Sequence, residues 1–197
     1  RVTKPVYADA LDKAFEAYKK AYEVDVKKSK VKDITNGLDL LTQNYLDDGM
    51  NCYMFEDYAA ASELFGKAAE VSAAQPLNKV DTVALYNAGF TAWALKDYPK
   101  AKSYFERCQN AGYYAKDGDV YAKLADIYTN LGDKEKSREM LEQGFTKFPQ
   151  SQSILIGLIN YYLESKQSPD RLFTLIGEAK KNEPNNASLY YVEGNIY

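Results

Sequence analysis

Between Gly118 and Ser151 the chain reads GDVYAKLADIYTNLGDKEKSREMLEQGFTKFPQS, two short amphipathic segments divided by a turn. The first carries Tyr121, Leu124, Ala125 and Tyr128 at the three- and four-residue spacing of one helical face. Asn130-Leu131-Gly132-Asp133 breaks that pattern, and Gly132 suits the left-handed conformation that closes a helix. The second segment repeats the device through Ser137, Leu141, Gly144 and Phe148, and Pro149 stops it. A lone pair of such helices cannot bury its apolar face, so the stretch needs similar neighbours stacked on it.

The neighbours are present. Residues 4–27 read as one helix with a stripe of Ala10, Ala14, Phe15, Tyr18, Ala21 and Tyr22, followed by the polar linker Lys27-Lys28-Ser29-Lys30. From about Asp33, or from Asn36 or Gly37, a second pattern runs through Ile34, Leu38, Leu41, Tyr45, Leu46 and Gly49 to Met54. Asp57-Tyr58 turns it into Ala61, Leu64, Phe65 and Ala68, and Pro76 ends the pair. Leu85, Ala88, Gly89 and Ala92 follow, then Asp97-Tyr98 and Ala101, Phe105 and Cys108. Beyond the opening stretch come Ile156, Ile159, Asn160 and Leu163, a turn at Ser168-Pro169, and Leu172, Ile176 and Ala179 up to Pro184. Tyr190, Gly194 and Tyr197 restart the pattern. The small-residue slot of each second helix falls at Ala61, Ala101, Ser137 and Leu172, spaced 40, 36 and 35 residues apart.

This pattern of small, aromatic and proline positions resembles the tetratricopeptide repeat, a helix-turn-helix unit of about 34 residues. The resemblance implies an all-α fold, a right-handed superhelical array of helix-turn-helix repeats. A single array over 1–197 is expected, with repeats at 33–76, 82–115, 118–151 and 153–186. Residues 1–32 would be a lone second-type helix and linker, and 187–197 the start of a further repeat. Gly49, Gly89, Ala125 and Gly194 occupy the helix-crossing slot, with Phe65, Phe105 and Leu141 filling the space between helices; Asn160 and Leu172 depart from the family's small residues.

In the family, first helices line the concave side. The side chains left over there are Leu46, Met50 and Tyr53, then Tyr86, Asn87, Phe90 and Trp93, then Lys123 and Asp126, then Tyr161. An aromatic and methionine patch suits a peptide, because rings give contact area at low entropic cost and Met adapts its shape. Replacing Tyr86 and Phe90 is expected to weaken capture while sparing the fold. The family's two-carboxylate clamp is incomplete: Asn87 and Lys123 match, but Leu46 and Met50 stand where Lys and Asn belong, and Asp119 fills a Lys slot.

Composition narrows the function further. Residues 1–32 carry 9 basic and 5 acidic side chains, and residues 33–99 carry 3 and 10, so no basic stripe for nucleic acid runs along the chain. No apolar run reaches the roughly 20 residues of a membrane span. With no His and two distant cysteines, Cys52 and Cys108, neither a metal centre nor a His-based nucleophile is expected, and no phosphate loop is found. Both thiols fall on packing faces. The expectation is a non-enzymatic, cofactor-free scaffold that binds a protein or peptide segment in the concave groove. The alternative is a structural spacer that self-stacks through its terminal helices, whose apolar faces need cover. The Leu-Tyr-Asn-Ala-Gly run at 85–89 and the Tyr-, Asn- and Lys-rich composition resemble exported tetratricopeptide proteins of Bacteroidetes-type bacteria, which implies a periplasmic or surface location.

Overall fold

The computed structural model describes residues 9–166 and 168–196, and among these it contains ten α-helices and no strand. They are α1 (Ala10–Val24), α2 (Val31–Met54), α3 (Tyr58–Ala73), α4 (Thr82–Ala94) and α5 (Tyr98–Asn110). There follow α6 (Asp119–Asn130), α7 (Lys134–Lys147), α8 (Gln152–Ser165), α9 (Pro169–Asn182) and α10 (Ala187–Gly194). A 3₁₀ turn at Lys116–Gly118, unforeseen in the sequence, precedes α6. The all-α helix-turn-helix class expected from the sequence is the one observed.

The turns explain the pairing. Three hairpins close in the same way: Glu56, Lys96 and Gly132 hold φ of +61°, +61° and +84°. The Asp that follows each donates its N–H to the carbonyl five residues back, from Asp57 to Cys52, Asp97 to Ala92 and Asp133 to Tyr128, each at 2.9 Å. The same Asp carboxylates then cap the next helix by accepting from the N–H groups of Ala60, Lys100 and Lys136 at 3.1–3.2 Å. One acidic residue thus finishes one helix and starts the next.

Three expectations need correction. First, α1 ends at Val24 because Asp25 accepts from the N–H groups of Ser29 and Lys30 at 3.0 and 2.7 Å, folding the linker into a turn. The expected residues 4–8 lie outside the described residues. Second, α2 begins at Val31, so neither Asn36 nor Gly37 starts a helix; Gly37 sits mid-helix against the Tyr18 ring, where a Cβ would collide. Third, the phase of α8 is displaced by one residue. Leu155, Leu158 and Ile159 are buried while Ile156 and Asn160 face solvent, so Ile159 holds the crossing slot assigned to Asn160.

The chain divides into two compact units, residues 1–107 and 108–197. In the first, Phe65 lies over Gly49 and packs with Ala61 and Ala88, and Phe105 lies over Gly89. Helix α1 is tied in by Asp12, which accepts from the Tyr45 hydroxyl at 2.6 Å and from Lys67 at 2.5 and 2.6 Å. In the second, Tyr121, Leu141, Ile154, Leu158, Leu175 and Ile176 form one buried cluster shared by α6 to α9. Cys108 is fully buried and Cys52 half-buried, both as free thiols.

Candidate functional site

The first unit holds a cavity of about 250 Å³ whose walls come from α2, α3 and α4. Met50 and Tyr53 line it from α2, and Tyr86, Asn87, Phe90 and Thr91 from α4, with Phe65 of α3 behind them. Helix geometry produces this arrangement. Gly49, Gly89, Leu85 and Ala88 are consumed by packing, so residues one or more positions away on each wheel are turned outward. The wall is a continuous set of rings: Tyr53 meets Phe90 edge-on at 6.2 Å, Phe90 stacks on Tyr86 at 6.3 Å, and Trp93 lies 5.9 Å from Phe90. Tyr58, at the start of α3, adds a ring 5.6 Å from Tyr53.

Exposed apolar side chains continue along the end of α2 from the lining residues. Met50 is 45% exposed, Tyr53 36%, Met54 73% and Phe55 87%, all within six residues of chain. Few polar groups project inward. The Thr91 hydroxyl donates back to the Asn87 carbonyl at 2.7 Å. Burial, then the charges of Asp57 and Asp48, push the Cys52 thiol above its ordinary value, so it stays protonated beside the site.

Of the ten residues singled out in the sequence, Met50, Tyr53, Tyr86, Asn87 and Phe90 share this cavity, and Trp93 joins it through Phe90. Leu46 packs on the Ala61, Phe65 and Ala88 cluster and lines a neighbouring groove with Thr42, Gln43 and Val80. Lys123, Asp126 and Tyr161 belong to the second unit. There Asp126 accepts from the Asn130 side chain at 3.2 Å. Tyr161 donates to Glu135 of α7 at 3.0 Å and packs on the second unit's core. Tyr86 also meets buried Phe105 edge-on at 5.8 Å. Tyr58, Met54 and Phe55 were missed. The recurring Asp-Tyr pair at 57–58 and 97–98 marks Tyr58, whereas nothing in the periodicity marks Met54 or Phe55, which sit where the helix ends.

Two other depressions in the first unit are more polar. One, of about 500 Å³, contains the Asp39–Lys79 ion pair, and the other, of about 480 Å³, is walled by Glu63, Lys67, Glu70 and Arg107. Among the described residues no cluster of His, Cys, Asp or Glu is grouped to hold a metal ion, and no helix is long and apolar enough to cross a membrane.

Comparison with known proteins bears on the fold. Residues 83–111 and 118–146, which contain the α4–α5 and α6–α7 hairpins, match the tetratricopeptide repeat family model. No curated protein matches the chain. Among solved structures, YrrB, described as a tetratricopeptide protein with an unusual peptide-binding site, aligns with a TM-score of 0.61 at 18% identity, covering 93% of this chain and 83% of its own. MamA aligns at 0.60 and 20% identity, covering 90% and 91%, and Pseudomonas aeruginosa PilF at 0.64 and 13% identity, covering 95% and 84%. The two matched hairpins and these structures together place the fold of this chain with the tetratricopeptide repeat proteins.

Proposed function

We propose that the chain is a protein-interaction scaffold whose first unit captures a peptide or protein segment in the cavity between α2 and α4. The observation that carries this reading is the exposed Met50–Phe55 surface opening onto the ring wall of Tyr53, Tyr86 and Phe90. Contiguous apolar surface with a concave centre marks interaction sites, since folding alone leaves such area uncovered at a solvation cost. The tetratricopeptide fold supports the same role, and YrrB, which shares the fold, is described as having a peptide-binding site. An exported setting, which the composition resembles, would make the partner extracytoplasmic.

The three methionines provide the test. Met50 lines the cavity and Met54 follows one turn later on α2, while Met140 packs on the core of the second unit. Short random-sequence peptides displayed on phage and panned on the immobilised chain yield ligands. Bound ligands are expected to shift the methyl NMR signals of Met50 and Met54 and leave that of Met140 in place. Ligands that move Met140 alone would place the binding surface elsewhere.

A second reading is self-stacking, favoured by the exposed Tyr190 and Tyr191 on α10 and by Val24 at the end of α1. It predicts concentration-dependent mass in light scattering, and a strict monomer at high concentration rules it out.

A further inference from the structure

The chemistry around the cavity specifies more than an apolar ligand. Residues 31–94, which span the lining helices α2 to α4, contain nine acidic and three basic side chains. Helix α4 carries no charged residue at all. On α2 and its turn, Asp47, Asp48, Glu56 and Asp57 are all exposed. Asp47 lies three residues from Met50, about 4.5 Å along the helix axis. Glu56 follows Phe55 directly. Asp47 therefore acts on Met50 from within the Debye length of about 10 Å at 0.1 M salt, and Asp48 and Asp57 act on Cys52 of the same helix.

These four acids also lack a basic partner, unlike Asp39 and Asp12 elsewhere in the same unit. Lys79 pairs with Asp39 at 2.9 Å, Lys67 with Asp12, Arg171 with Glu142 at 2.7 Å, and Lys180 with Glu193. Among the described residues, no Lys or Arg forms an ion pair with Asp47, Asp48, Glu56 or Asp57. Asp57 has the separate task of capping α3, and Asp47 accepts only from Gln43, at 2.7 Å. An acidic ligand entering here would bring like charges together in a half-desolvated mouth, whereas a basic one would supply the missing counter-charges.

Resting on the cavity as the binding site, we infer that its occupant is a peptide segment pairing an apolar anchor with flanking lysine or arginine. The anchor, a Leu, Met or aromatic side chain, enters between Tyr53, Tyr86 and Phe90 and takes up the adaptable Met50 contact. The flanking cations lie along the α2 acids. Attraction at this range steers encounter more than it adds affinity, so association should be fast at low salt and slow at high salt.

The peptides enriched by panning decide the matter. Expected winners carry Lys or Arg on either side of an apolar residue, with few acids. In fluorescence anisotropy the synthetic, labelled winners should lose about tenfold in affinity on the chain carrying Asp47→Asn, Asp48→Asn and Glu56→Gln, and a similar amount on raising salt. Asp57 is left intact because it caps α3. Phe90→Ala, and independently the exposed and structurally undemanding Met50→Ala, should weaken the same peptides. Winners with neutral or acidic flanks, or full affinity in the triple variant, would overturn the charge inference. If Met50→Ala and Phe90→Ala still abolish binding in that case, the groove reading stands alone. Affinity unmoved by Met50→Ala and Phe90→Ala, or no enrichment at all, would overturn both.

Discussion

Lys96 holds a φ of +61° at the turn between α4 and α5, a region where a Cβ crowds the following carbonyl. The matching position in the next hairpin is Gly132, which takes that conformation without the clash. Lys96→Gly should therefore stabilise the chain by ~0.5–1 kcal/mol, the relief of strain less the extra entropy glycine loses on folding. Thermal melting would show a rise of a few degrees, and a fall would mean that the Lys96 side chain contributes something its backbone geometry does not reveal. Asp12 makes a second prediction. Its carboxylate is held below the ordinary 3.8 by the hydrogen bond from Lys67, then by that from Tyr45. A depressed folded value means the contribution is complete above about 3.8 and disappears as pH falls through the lower, folded value. Urea midpoints followed from neutral pH into acid should drop more steeply for the parent chain than for Asp12→Asn. Parallel curves would show that the α1 tether adds no pH-dependent stability.

The helix crossings supply the test at the level of elements. A Cβ on Gly49 would lie 2.8 Å from the buried Phe65 ring, whereas on Gly89 the nearest atoms are at 3.2 Å, and on Gly177 of α9 nothing lies within 4 Å. Replacement by Ala should accordingly rank in that order. Gly49→Ala is expected to destabilise by ~1–3 kcal/mol through overpacking. Gly177→Ala should stabilise by ~0.5–1 kcal/mol through helix propensity, with Gly89→Ala between them. Chemical denaturation reads all three, and equal effects would mean that close approach does not set the crossings. The crossings also show what the sequence could tell. Hairpins from α2 to α7 were legible because Gly49, Gly89 and Ala125 repeat at a constant distance before an Asp-led turn. The connection from α8 to α9 is as short as the others but has Ser168 in place of the capping Asp, with Lys166 and Ser168 both at positive φ, so the cue that set the register of the earlier hairpins is missing. The cavity was half legible for a related reason: periodicity finds side chains that leave the packing stripe along a helix. It is blind to residues such as Phe55, whose exposure is decided where the helix stops.

At the scale of the molecule, the cavity and its acidic surround all fall within residues 33–95, inside the first compact unit. In a repeat protein, stability is close to a sum of terms between neighbouring hairpins, so damage stays local unless it is severe. Leu175, fully buried in the core of the second unit, tests how far that independence extends. Leu175→Ala leaves a void and should cost about 2–5 kcal/mol. Because Met140 packs on the same cluster, its methyl signal should move in this variant, while the signals of Met50 and Met54 stay fixed. At a temperature where circular dichroism shows full helicity, the affinity of the panned peptides should match that of the parent chain. A variant that keeps its helices yet loses the peptide would assign part of the binding energy to the second unit. Lys123→Ala and Asp126→Ala, the expected continuation of the concave surface, would then be the substitutions to locate it.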